Sequence, residues 1–135
     1  MTSSALETIE TEFAPKPVGP YSQAVLAENW LYCSGQIALD PLTGEMVGEG
    51  NIEEETRQVL KNLIAVVKAA GGETSNVIKT TIYLTNLNDF KKVNQIYAET
   101  FSQKVSPARA CVEVSNLPKG AKIEIDCIAW LGNKK

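Results

Sequence analysis

The order of patterned segments predicts an α+β fold, a two-layer sandwich of two helices on a mixed β-sheet in the order β-β-α-β-α-β-β. Three observations predict it. Residues 51–70 and 90–101 repeat apolar side chains at helical spacing. The segments around them alternate with a period of two, as half-buried strands do. Each helical segment lies between two strand-like ones, so each can cross over one sheet face and join parallel strands.

The first dozen residues are polar and weakly patterned, a loose leading segment to a single domain spanning 1–135. APKPVGPYSQA (14–24) holds Pro15, Pro17 and Pro20, which fix φ and remove donors, so it is a stiff extended loop. Residues 26–30 read as a turn between two short strands. In WLYCSGQIAL (30–39), Leu31, Cys33, Gly35, Ile37 and Leu39 are expected to share one face, and DPLTGE (40–45) is a turn cluster. Asn51 caps the first helix, with Glu54 completing a capping box and Glu53, Glu54 and Glu55 at the positive end of the dipole. Ile52, Thr56, Val59, Leu60, Leu63, Ile64, Val67 and Ala70 form its apolar stripe, and Gly71-Gly72 ends it.

NVIKTTIYLTN (76–86) is β-branched and alternating, hence a strand. Asn86 or Asn88 caps a second helix whose core face is Phe90, Val93, Ile96, Tyr97 and Phe101. PARACVEV (107–114) is a strand, SNLPKGA (115–121) a loop, and KIEIDCIAWLG (122–132) the last strand. With both helices on one sheet face, the other is expected to carry Tyr32, Ser34, Gln36, Tyr83, Arg109 and Cys111. Such a mixed face is often covered by another subunit.

Composition narrows the function. The chain has 135 residues, 13 basic and 16 acidic, and a net charge of −3. That argues against sequence-independent nucleic-acid binding, which uses a basic stripe. No apolar run is long enough to span a bilayer and no secretory signal is apparent, so a cytoplasmic protein is expected. Three cysteines, Cys33, Cys111 and Cys127, lie far apart, without the spacing of a zinc site. Cys33 and Cys127 read as small buried hydrophobes. There is no histidine, so a Ser-His or Cys-His nucleophile cannot form within the chain. Acid–base chemistry falls to a carboxylate, tyrosine, lysine, thiol or water.

Arg109 stands out in SPARACVEVS (106–115), a permanent cation on a strand face beside Cys111. It is either a solvated charge or a planar fork for a carboxylate or phosphate. Glu124 alternates with Ile123 and Ile125; plain solvation or a catalytic carboxylate both fit, and a hairpin of the last two strands would bring it toward the Arg109 face. Tyr21, after Gly19-Pro20, can cover core or donate to a ligand. Ser34-Gly35 interrupts a strand, through a bulge or through close approach of a ligand. Asn94 lies mid-helix off the apolar stripe, with exposure its default. Cys111 would need a nearby cation to become a thiolate.

GPYSQA, YCSGQIALDPLTGE, VKAAGG, IKTTIYLTNLNDFKKVNQIYAETF and SPARACVEVSNLPKGAKIEIDCIAW together resemble the reactive intermediate/imine deaminases, the YjgF/RidA family, and its RidA subgroup in particular. The likeness runs from about Phe13 to Trp130. It implies a chorismate-mutase-like fold, a homotrimer with clefts between subunits, and hydrolysis of 2-imino acids, formed from enamines such as 2-aminoacrylate, to 2-keto acids and ammonia. These enamines come from pyridoxal-phosphate dehydratases. No metal or cofactor is implied. The resemblance puts the carboxylate-binding arginine at Arg109 and the water-positioning acid at Glu124. The motif tyrosine falls on Tyr21, the strand serine on Ser34 beside Gly35, the cleft cysteine on Cys111 and the helical asparagine on Asn94. The stretch before SPAR is shorter than in some relatives, which alters the cleft rim. A small-carboxylate sensing or chaperone-like binding protein is the main alternative, and an endoribonuclease the weakest.

Overall fold

A computed structural model describes residues 5–132. Its strands are β1 (Leu6–Ile9), β2 (Ala24–Ala27), β3 (Trp30–Gln36), β4 (Val77–Leu84), β5 (Ala108–Glu113) and β6 (Ile123–Trp130), with helices α1 (Ile52–Ala69) and α2 (Phe90–Thr100). The six strands form one sheet in the order β1-β2-β3-β6-β4-β5, antiparallel except for the β4–β5 pair. Two helices on a mixed sheet is the architecture the sequence predicts. The leading segment differs from expectation, because Leu6–Ile9 pairs with β2 as an added edge strand.

β6 takes the centre for a physical reason. Ile123, Ile125, Cys127 and Ala129 are all essentially inaccessible, and each fully buried isoleucine contributes about 1.5–3 kcal/mol. A strand this apolar on one face gains most where helices cover it and strands flank it on both sides. β5, opened by Pro107 and with only alanine, cysteine and valine as its apolar residues, lies at the edge, where a lost ladder bond costs least. β6 thus separates β3 from β4, and β4 separates β6 from β5. The last two strands do not form the hairpin the sequence suggested.

Asn51 accepts from the Glu54 backbone N–H at 3.0 Å, but the other half of the capping box is absent. The Asn51 N–H donates to the Gly48 carbonyl instead. The backward-reaching carboxylate is Glu55. It is fully buried and accepts from Gly50 N at 3.0 Å and from Lys122 N at 2.9 Å, which ties the helix start to the entry of β6. At the far end Gly71 has φ 91°; its N–H bonds to Lys68 O and that of Gly72 to Val67 O, a Schellman closure that needs a residue tolerant of positive φ. Asn86 caps a short 3-10 turn, Leu87–Asp89, that leads into α2. Among the described residues no helix is long and apolar enough to cross a membrane.

Candidate active site

Register decides where the site residues point. Arg109 pairs with Thr80 and Cys111 with Ile82, and both partners are fully buried beneath the helices. Arg109 and Cys111 therefore lie on the helix side, not on the open face where the alternation pattern put them. The reason is that alternation gives two faces without saying which is inward. Here Ala108, Ala110 and Val112 are the outward set, and all three are exposed.

Arg109 is held by α2. Its Nη1 donates to Asn94 Oδ1 at 2.6 Å, and its guanidinium carbon lies 4.9 Å from the Tyr97 ring centre and 5.4 Å from that of Phe90. Two π-faces hold the cation without neutralising it. No carboxylate bonds to it among the described residues, so the rest of the fork is available to an anion. Tyr97 is itself oriented by a 2.7 Å hydrogen bond with Thr80. Burial pushes the Tyr97 phenol up, so it stays neutral beside the cation. Periodicity marked Phe90 and Tyr97 only as core. The signal available was their spacing of seven, which with Asn94 between them makes a single helix stripe facing the strand that carries Arg109. Burial raises the Cys111 thiol and Arg109 lowers it, with burial dominant, so Cys111 stays protonated at neutral pH.

Glu124 lies on the other side of the sheet. It pairs with Tyr83 across β4 and is half-buried. The β3–β6 register slips between Cys33 and Gln36, which sets Gln36 opposite the buried Ile125. That bulge turns Gly35 and Gln36 over relative to the simple alternation, so Gln36, not Gly35, joins Leu31 and Cys33 on the helix side. Gly35 then faces Glu124 closely: a Cβ there would lie 2.7 Å from the Glu124 carboxyl carbon. Only glycine leaves the carboxylate that space.

Tyr21, Gly35 and Glu124 line one cavity of about 70 Å³, together with Lys16, Gln36 and Pro118. The proline loop is fixed there by Gln23, a buried residue the sequence reading did not single out. Its amide oxygen accepts from Thr11 N at 2.7 Å, and its nitrogen lies 3.0, 3.2 and 2.9 Å from the carbonyls of Thr11, Ala14 and Pro15. A lone glutamine beside a proline loop, which has few donors of its own, was the available signal. Ser34 ties the same loop to β3, its hydroxyl donating to Ser22 O at 2.6 Å. Tyr21 is half-exposed, and its hydroxyl accepts from Val18 N at 3.3 Å. Burial first, and the charge of Asp126 second, push the Glu124 carboxyl above the ordinary carboxylate range.

The seven residues thus form two groups on opposite sides of the sheet. Arg109, Asn94 and Cys111 sit at the β5–α2 edge; Tyr21, Ser34, Gly35 and Glu124 gather around the β3 bulge. One set offers a fixed cation, the other a desolvated acid.

Comparison with known proteins is decisive on kinship. The family model described as Endoribonuclease L-PSP matches residues 11–131. The chain belongs to this family, the YjgF/RidA family. The human protein named 2-iminobutanoate/2-iminopropanoate deaminase is 47% identical over 98% of this chain and 95% of its own length. A solved structure from Yersinia pestis, the conserved Rid family protein YyfA, superposes with a TM-score of 0.90 at 52% identity, covering 93% of this chain and 99% of that one. The E. coli TdcF structure with bound serine superposes with a TM-score of 0.87 at 40% identity, covering 92% and 98%. The two-helix, mixed-sheet architecture is the family fold.

Proposed function

We propose that this chain, a single domain over residues 1–135, is a cofactor-free imine deaminase, a 2-iminobutanoate/2-iminopropanoate deaminase that hydrolyses imino acids to 2-keto acids and ammonia. The observation that carries it is Arg109, a cation held between aromatic rings and an amide with no acid among the described residues paired to it. The human relative's name supports the substrate class, and the serine bound to TdcF supports a ligand with a carboxylate.

A protonated imine is electrophilic enough to need only placement and proton transfer. Arg109 binds the carboxylate bidentately and fixes the neighbouring carbon. Glu124 takes a proton from water as the water oxygen bonds to that carbon, and the C=N bond becomes a single bond in a neutral carbinolamine. Glu124 returns the proton to the amine nitrogen. The C–N bond then breaks as the hydroxyl oxygen's electrons form the carbonyl, and the hydroxyl proton leaves with ammonia as ammonium. Tyr21 stands on the wall of the Glu124 cavity to steady the intermediate.

The two groups of residues meet, in this proposal, across subunits of a homotrimer. Supporting it are their placement on opposite sheet faces and the exposed apolar strip of Ala108, Ala110 and Val112 beside Arg109. An open face with Tyr32 50% exposed points the same way. A carboxylate-sensing module is the second reading, favoured by the ligand in TdcF. The test is ammonia release from the enamine made by a threonine dehydratase. Wild-type protein should accelerate it, and Arg109→Ala should lose at least about 100-fold in kcat/KM with its fold intact. No acceleration by wild-type protein that still binds a keto acid would leave the sensing module.

A further inference from the structure

A second acid stands on the Glu124 face that the reaction above leaves unused. Asp126 follows Glu124 by two residues on β6, so it projects to the same side of the sheet. Tyr83, registered opposite Glu124, extends its hydroxyl along the face to donate to Asp126 Oδ2 at 3.2 Å. All three side chains are partly buried. A negative charge on Asp126 therefore acts on Glu124 across a strand face partly removed from water.

The remaining charged groups around this cluster are few. On β4, Lys79 donates to Thr81 Oγ1 at 3.3 Å, and Thr81 is registered opposite Asp126. Lys122 precedes Glu124 by two residues, but its side chain runs toward Gly50, 3.4 Å from a Cβ built there. Lys16 and Tyr21 stand on the cavity wall from the proline loop. β3 brings Tyr32, Ser34 and Gly35 to this side, with no carboxylate, lysine or arginine among them. After burial, Asp126 is the chief charge acting on Glu124, and it raises that carboxyl. The Tyr83 phenol is raised by burial first and then by Asp126, so it remains a hydrogen-bond donor.

We propose that Asp126, oriented by Tyr83, is a positioning residue for Glu124, and that its charge makes Glu124 hold the proton taken from water until the amine nitrogen takes it. This rests on the deaminase reading for its purpose but not for its physics. A base beside a fixed negative charge is a stronger base, and the acid it becomes remains near enough to donate. The Tyr83 hydrogen bond holds the Asp126 carboxylate on this face.

The experiment is a titration of carboxyl carbons by NMR on protein labelled at glutamate and aspartate, with Glu124→Gln assigning the Glu124 signal. Asp126→Asn should move the Glu124 midpoint to lower pH, Asp126→Glu should hold it near wild type, and Tyr83→Phe should move it part of the way. The acid limb of kcat should move down in the same order, while KM for the imino acid changes less than about twofold, since Arg109 supplies the binding. A folded Asp126→Asn protein, or Tyr83→Phe if that variant does not fold, with the Glu124 midpoint unmoved would overturn the proposal. A moved midpoint in protein that releases no ammonia would keep the Asp126–Glu124 coupling and reject the deaminase reading instead.

Discussion

The cradle of Arg109 and the pocket of Glu124 solve opposite problems. Arg109 is exposed, always charged, and braced by two rings and an amide at a sheet edge. Glu124 is half-buried, titratable, and seated in a gap left by Gly35 at a bulge. A permanent cation needs no desolvation to recognise a carboxylate, so it can stand in the open. An acid that must take and return a proton works better where burial and a neighbouring charge move it toward neutrality. In the proposed reaction, recognition falls to a helix–strand edge and proton transfer to a bulged strand pair, with the sheet between them.

Changing the pocket alone should break the chemistry while leaving recognition. Glu124→Gln should lower kcat by about 10²–10⁴-fold, the usual range for a general base, with keto-acid affinity kept; a fully active variant would remove Glu124 from the reaction. The same variant should also melt at a higher temperature than wild type near neutral pH. Glu124's folded value lies above its unfolded one, so its contribution to stability is full below the unfolded value, about 4.3, and is lost as pH rises through the folded value. Glutamine has no such loss, so the melting advantage should fade in acid. Thermal melts across pH check this, and an advantage largest in acid would reverse the sign.

Mixing tests whether the two regions cooperate between chains. Refolding Arg109→Ala with Glu124→Gln in equal amounts should restore about a quarter of wild-type activity, the share of randomly formed trimer clefts that join an intact Arg109 to an intact Glu124. No recovery above either variant alone would place both halves of the site within one chain. The smallest effect is expected from thinning the cradle. Tyr97→Leu removes one π-face and should raise KM about two- to fivefold, matching the ~0.5–1 kcal/mol of an exposed cation–π contact, with kcat less affected. Tyr97→Phe keeps the ring and should stay near wild type, which separates the ring's contribution from that of the Thr80 hydrogen bond.

The start and stop of α1 were legible because they are local, whereas α2 starts after Asp89 without the side-chain cap expected from Asn86 or Asn88. Asn51, the acidic first turn and Gly71-Gly72 act within a few residues of where they stand. The β1 strand was not, since Leu6–Ile9 has little apolar pattern and is held by pairing with β2 at the sheet edge. Arg109 and Glu124 were visible as charges within alternating strands, and the family motifs named the rest. The bracing by Phe90, Tyr97 and Gln23 was hidden, because an aromatic or amide in a buried stripe looks the same whether it packs or positions.

By itself the sequence determined the two helices, five of the six described strands, their order, and the residue types available for chemistry without histidine. Which face each strand turns inward was decided only by the tertiary structure. Alternation is symmetric between two faces, and only pairing with β4 and packing under α2 chose the helix side for Arg109. A one-residue bulge likewise put Gly35 against Glu124, an offset that a period of two cannot encode.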